Sequence, residues 1–284
     1  MKIEEFNIKI PNKSIAAITC GPVTAKPILA LHGWLDNAAS FIPLAPYLPE
    51  FRLIAIDFQG HGLSEHAPAG CYFHFEDYIA DVINILDSLG LQQCALLGHS
   101  LGAGIASIVA GVIPERIPAL GLIDGIGPIS IHEDQMPEMM RKSINEYAKL
   151  SEKKLTHYLN KEEATKARLS ASKIQRSAVE LLVSRGLKDT GNGFIWRTDP
   201  RLMLKPLALF VESQITAFLK NITAKTCLLR PSPGWPFDEK VFASRIHFLK
   251  DIEVHRIAGD HHIHMDNPEI VGPILNDFFK RSLQ

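Results

Sequence analysis

This sequence predicts an α/β fold on a mostly parallel, eight-stranded sheet with helices on both faces. Three observations carry that prediction. Short, unbroken apolar runs recur along the chain, helical patterns lie between them, and the N-terminal stretch instead alternates apolar with polar. Unbroken runs suit strands covered on both faces, because neighbouring side chains point to opposite sides. Runs that alternate with helices make βαβ units and a parallel sheet. Alternation suits an antiparallel hairpin with one face toward solvent.

Taken in order, Ile3, Phe6, Ile8 and Ile10 mark the first strand, Pro11-Asn12-Lys13 the turn, and residues 15–19 the second strand. Buried strands are expected at 28–31, 53–56, 94–97, 120–123, 226–229 and 252–257. Helical patterns fall at 75–89, 101–113, 238–248 and 268–282. Between Pro128 and Ala224 the alternation stops. Ile144, Tyr147, Tyr158, Leu159, Val179, Leu182 and Val183 keep helical spacing there, with no buried-strand signal. The expected organisation is a core of residues 1–128 and 221–284, with a helical cap, 129–220, inserted after the sixth strand. Met139, Ile144, Tyr147 and Trp196 are candidate pocket walls in that cap. Residues 141–185 hold eleven Lys or Arg against five Glu, which reads as a solvated face or as a steering surface for acidic substrates.

Composition narrows the partners. The chain has 284 residues, 46% of them hydrophobic, enough for one large core with an insertion. A net charge of −1 offers no field to attract nucleic acid or a membrane surface. No apolar run reaches the roughly 18 residues that a bilayer span needs. The start, Met1-Lys2-Ile3-Glu4-Glu5, is acidic where a signal peptide would be basic. Cys20, Cys71, Cys94 and Cys227 are widely spaced and form no C-x-x-C, so they are expected as buried or incidental thiols in a reducing cytoplasm. Nothing in the sequence specifies an oligomeric state.

The chemistry gathers at strand ends. Gly98-His99-Ser100-Leu101-Gly102 follows an apolar run and opens a helix of small residues. In that setting G-x-S-x-G is a nucleophile elbow, which pushes the Ser100 hydroxyl out to a substrate while Gly98 and Gly102 let two backbones pass closely. A turn serine without chemistry is the alternative. A serine hydroxyl needs a base, a carboxylate to orient the base, and two N–H donors for the oxyanion. In an open α/β sheet all of these belong at the carboxyl ends of strands. The base is sought in the loop after the last strand, Asp260-His261-His262-Ile263-His264. His261 comes first of the three histidines, seven residues before Pro268, and is favoured; His262 is the alternative. His-His-x-His could also ligate a metal, but no carboxylate or cysteine partner is clearly placed in the sequence, so no metal is assigned. His32-Gly33-Trp34 follows the third strand and aims the Trp34 N–H at the nucleophile, with the Leu101 N–H as the second donor. For the acid, Asp124 stands directly at the end of the sixth strand. Asp238, the alternative, follows the seventh strand only after a Pro-rich stretch and is placed to cap a helix. Asp260, beside the base, should point elsewhere. Asp57 and Ser64 are read as bracing the turn Gly60-His61-Gly62.

These motifs, Leu31-His32-Gly33-Trp34, Asp57-Phe58-Gln59-Gly60-His61-Gly62-Leu63-Ser64, Gly98-His99-Ser100-Leu101-Gly102-Ala103 and the His261 loop, together resemble the α/β-hydrolase superfamily over nearly the whole chain. The resemblance is to the serine hydrolase-like branch related to haloalkane dehalogenases. It implies the chain order Ser, acid, His. In those dehalogenases the acid can follow the sixth strand, where Asp124 stands here. The usual Asp after the seventh strand is absent, and Pro233 or Gly234 falls near its place. Dehalogenases and epoxide hydrolases use an Asp nucleophile where this chain has Ser100. The expectation is a carboxylesterase-like hydrolase of a small acyl substrate, needing no cofactor. Thioester or carbon–carbon bond hydrolysis, perhydrolysis and acyl transfer would run on the same groups. A non-catalytic small-molecule receptor is the rival from another class.

Overall fold

The computed structural model describes residues 2–150 and 156–284. Its main sheet has eight strands: β1 (Glu4–Ile10), β2 (Lys13–Cys20), β3 (Pro27–Leu31), β4 (Arg52–Ile56), β5 (Ala95–His99), β6 (Ala119–Ile123), β9 (Lys225–Pro233) and β10 (Ile252–Gly259). Their spatial order is β1-β2-β4-β3-β5-β6-β9-β10. Only β2 runs against the rest: it pairs antiparallel with both β1 and β4, and every other pairing is parallel.

The unbroken apolar runs divide residue by residue between two cores. Leu29, Leu31, Ile54, Ile56, Leu96 and Leu122 join Val82, Ile85 and Leu86 of α1 (Phe75–Ser88) and Ile105, Ile108 and Val109 of α2 (Leu101–Val112). Their chain neighbours Ile28, Ala30, Leu53, Ala55, Leu97 and Ile123 point the other way. They join Phe41 and Leu44 of the 3-10 segment Ala38–Tyr47 and Leu275 and Phe279 of the C-terminal helix Pro268–Ser282. Period-two geometry with both faces buried is what makes the runs continuous.

Between β6 and β9 lie α3 (Met136–Ala148), α4 (Lys161–Ala171), α5 (Arg176–Gly186), a hairpin β7 (Leu187–Asp189) and β8 (Phe194–Trp196), and α6 (Glu212–Asn221). This segment has a small core of its own, in which Ala164, Val179, Val183 and Leu187 meet Tyr158, Phe194 and Trp196. Ala178 and Leu182 of α5 pack on Met265, just beyond the His261 loop. The helix α6 is a correction to the sequence reading. Its Ile215 and Leu219 are buried in the main core, and Gly111 of α2 abuts the Phe218 backbone, so α6 packs as a core helix leading into β9. The expected pocket walls also differ. Trp196 is used inside the segment's own core, Tyr147 stacks on Tyr72 at 4.2 Å, and Ile144 is half exposed. Three of the eleven positive side chains are held in ion pairs that tie the segment together or to the core: Arg168 with Asp36, Arg176 with Glu162 and Glu180, and Arg185 with Asp57 and Glu5.

A second correction concerns β9. The apolar pattern ends this strand at Leu229 and the prolines after it read as a loop, but pairing with β10 continues to Pro233↔Gly259. Pro231 and Pro233 follow Leu229 at two-residue steps, so all three turn their backbone polar groups to the β6 side. There β6 has already ended at Ile123, and a missing N–H costs no ladder bond. No helix among the described residues is long and apolar enough to cross a membrane.

Candidate active site

The parallel ladder sets two of the site's residues one strand apart. The Ser100 N–H donates to the Ile123 carbonyl at 3.0 Å, and the Asp124 N–H to the Leu229 carbonyl at 2.9 Å. Each residue is therefore the first beyond its strand, at the carboxyl edge of the sheet. Ser100 has φ 53° and ψ −113°, the sharp break between β5 and α2. Such a turn is stable only if the chain can pass close to itself. A Cβ on Gly102 would lie 1.9 Å from the Leu31 carbonyl oxygen, and one on Gly98 would lie 2.4 Å from the Gly102 oxygen. Leu35 (φ 62°) and Asp124 (φ 44°) are also left-handed, so three of the four positive-φ non-glycine residues described fall around this edge. Backbone strain of this kind gathers where surrounding structure must hold a functional geometry.

His261, just past β10, joins the two. Its Nε2 is 2.9 Å from Ser100 Oγ and its Nδ1 is 2.6 Å from Asp124 Oδ2. An ionised carboxylate only accepts, so Nδ1 carries the proton and Nε2 is free to accept the Ser100 hydroxyl. The same Asp124 oxygen accepts the Trp235 N–H at 2.7 Å, and the other oxygen faces Arg230 at 3.3 Å. Asp124 has no exposed surface. A Cβ on Gly234 would lie 3.0 Å from Asp124 Oδ2, so the glycine leaves room for this carboxylate.

The alternatives from sequence lie elsewhere. Asp238 caps α7 (Glu239–His247), its Oδ1 accepting the Lys240 and Val241 N–H groups at 2.8 and 3.1 Å. His262 is buried and turned toward Asp36, at 3.2 Å. His264 bonds Ser40 at 2.8 Å, and burial pushes its ring down to about 3. Leu101 opens α2, where its N–H has no carbonyl within the helix. Trp34 is held at its indole, which donates to the Leu202 carbonyl at 3.0 Å. His32 is structural: its Nε2 accepts the Phe58 N–H, its Nδ1 donates to the Gly33 carbonyl, and burial lowers it to about 4. Asp57 accepts from Ala38 and Leu63, and Ser64 Oγ donates to the Asp57 carbonyl, which ties the Gly60–Gly62 turn.

The sequence reading did not single out Asp36, His99, Arg168, Arg230 or Trp235. Asp36, His99 and His262 bring three ligand-type atoms within 4.8 Å, and so do Cys227, Glu253 and His255. In both groups a guanidinium already holds the carboxylate: Arg168 sits 2.8 Å from Asp36 and Arg281 2.7 Å from Glu253. That supplies the positive charge a metal would bring.

A strand-turn-helix serine at the carboxyl edge of this sheet defines a class of protein, and the comparisons agree with it. The profile of the alpha/beta hydrolase fold family matches residues 26–177, and the chain belongs to that family. Within it, the chain is 33% identical to a serine hydrolase-like protein of Dictyostelium discoideum, over 97% of this chain and 81% of that one. The crystal structure of a hypothetical protein from Pseudomonas aeruginosa PAO1 superposes with a TM-score of 0.93 at 36% identity, covering 98% of this chain and all of that one. A haloalkane dehalogenase from Bradyrhizobium elkani shares the fold, with a TM-score of 0.74 at 20% identity over 99% of each chain.

Proposed function

We propose that this chain is a serine hydrolase of small acyl esters, working through Ser100, His261 and Asp124. The observation that carries the reading is the single imidazole bridging a strained serine and a buried carboxylate, at 2.9 and 2.6 Å. In this mechanism Ser100 Oγ attacks the substrate carbonyl carbon while its proton passes to His261 Nε2. The Trp34 and Leu101 N–H groups stabilise the oxyanion. Collapse of the tetrahedral intermediate breaks the bond to the leaving oxygen, which takes the proton from His261. Water, deprotonated by the same nitrogen, then releases the acid and restores the serine. Asp124 keeps the proton on Nδ1 and stabilises the imidazolium as it forms. The segment before α6, which packs on Met265 beside the base loop, supports a role as a cap over the site.

The test is covalent labelling by a fluorophosphonate, with a screen of p-nitrophenyl esters over acyl length. Wild type should label once, at Ser100, and Ser100→Ala should not label. That variant should lose on the order of 10⁶ in turnover, the scale set by another serine hydrolase. Absence of labelling in wild type, or ordinary turnover in Ser100→Ala, overturns the reading and favours a receptor.

A further inference from the structure

Behind the base lies a second buried group that the reaction does not use. Asp36, four residues after His32, is 2% exposed. Three elements meet its carboxylate. Arg168 of α4 donates to Oδ1 at 2.8 Å, His262 Nε2 donates to Oδ2 at 3.2 Å, and His99 Nδ1 stands 3.7 Å from Oδ2. Burial opposes the negative charge, but His262 and Arg168 more than offset it and hold Asp36 well below the usual carboxylate range. His99 is the last residue of β5, directly before Ser100, and has no exposed surface. Its far nitrogen, Nε2, is 2.9 Å from the main-chain oxygen of His261. A carbonyl can only accept, so the His99 proton is on Nε2. Its Nδ1 is then bare and has no hydrogen-bond partner among the described residues. Gly33 closes the corner, since a Cβ there would lie 2.8 Å from His99 Nδ1 and 3.1 Å from Asp36 Oδ2.

We propose that Asp36 and His99 are positioning residues for His261. The His99 N–H fixes the main chain that carries the base, and Asp36, clamped by Arg168 and His262, holds the corner in which His99 packs. The ring of His261 is thus held at its nitrogens by Ser100 and Asp124, and at its backbone by His99. The proposal rests on the reading of His261 as the base. It also makes α4 part of the arrangement, because Arg168 reaches Asp36 from the inserted segment. A misplacement of about 1 Å at a reacting group can cost 10²-fold in rate, so a loosened base loop should be visible in kinetics.

The experiment compares His99→Phe, which keeps a ring but removes the donor, with His99→Gln, which restores an N–H donor on a side chain. Fluorophosphonate labelling of Ser100 and the low-field proton resonance of the His261–Asp124 bond are read on each, with thermal melting as the check on folding. His99→Phe should label at least about tenfold more slowly, within the range above, with its low-field resonance shifted or broadened. His99→Gln should recover most of the rate. Asp36→Asn should slow labelling and leave one Ser100 site. Wild-type labelling in His99→Phe, or no recovery in an equally folded His99→Gln, overturns the proposal. One equivalent of zinc bound tightly by wild type and lost in Asp36→Asn also overturns it in favour of a metal site. Failure of wild type to label sinks the serine reading instead, and the resonance still reads the positioning: no change in His99→Phe refutes it.

Discussion

Asp124 and Asp238 carry the same carboxylate in two settings. Asp124 is buried, with one oxygen shared by His261 and the Trp235 N–H, while Asp238 accepts two N–H groups at a helix start. On the proposed mechanism, Asp124→Asn removes the carboxylate charge facing His261 Nδ1 and should cost about 10⁴ in turnover, the scale seen in a serine protease. Asp238→Asn should leave turnover near wild type, because Asn caps a helix as well as Asp. Turnover of both variants on one ester checks the pair, and the reverse pattern would move the acid to the seventh strand of the sheet. Ser100, His261 and Asp124 were legible in sequence because each sits where a strand ends, a position local patterning can find. Asp36, His99 and Arg168 were not, because their meeting joins three distant segments through side chains that the patterning marks only as polar. Arg230 escaped for the same reason: it lies inside an apolar strand, and only the fold shows that Asp124 faces it.

The elbow works at the level of two elements, since α2 can cross β3 only where a side chain is missing. Gly102→Ala would put a methyl 1.9 Å from a backbone oxygen of β3. Backbone cannot yield there as a flexible side chain would, so the variant should lose about 3 kcal/mol or more. Gly70 is the control. It has positive φ and nothing within 4 Å of a built Cβ, so Gly70→Ala carries only the left-handed penalty of about 1–2 kcal/mol. Urea unfolding of the two variants measures the difference, and equal losses would show that close approach is not what the glycine provides. The strands were legible because both faces are buried. The tail of β9 was not, because proline reads as a breaker unless the neighbouring strand is known to have stopped.

For the whole molecule, the inserted segment is tied to the core through buried charge. Arg185 of α5 meets both Asp57 oxygens at 3.0 Å and also reaches Glu5. Arg185→Met would strand the Asp57 carboxylate and should cost about 3–5 kcal/mol, read by chemical unfolding. A loss under about 1 kcal/mol would mean the pair is worth no more than a surface contact. Acid sensitivity follows from buried rings. Burial holds His32 down to about 4 and His61 and His264 to about 3. An unfolded histidine titrates near 6.5. Between these values the unfolded chain takes up protons that the folded chain refuses, so stability falls as pH drops. Each ring contributes about 1.4 kcal/mol per pH unit inside its window. The loss should begin below about pH 6.5 and contribute nothing above 7. Equal unfolding free energies at pH 7.5 and 5 would show that the rings accept protons in the folded state. None of this was legible in sequence, where a histidine carries no sign of its depth.

The space that Gly234 leaves beside Asp124 has a consequence for descent. A side chain at 234 would start 3.0 Å from Asp124 Oδ2, so a carboxylate there would compete with Asp124 for one space, and only one of the two could be held at a time. A lineage carrying acids at both would crowd two negative groups beside one imidazole, and a lineage carrying neither would have no partner for it. Moving the acid between strands would then take a paired change, with each single step a loss. Gly234→Asp alone should inactivate, because its Cβ would lie 2.7 Å from the Pro231 carbonyl oxygen and 3.0 Å from Asp124 Oδ2. Combining it with Asp124→Gly removes the second contact and should return a small part of the turnover, since Asp tolerates the left-handed backbone at 234 (φ 55°) and glycine suits the one at 124 (φ 44°). A double variant no better than either single one would mean that the two addresses are not interchangeable.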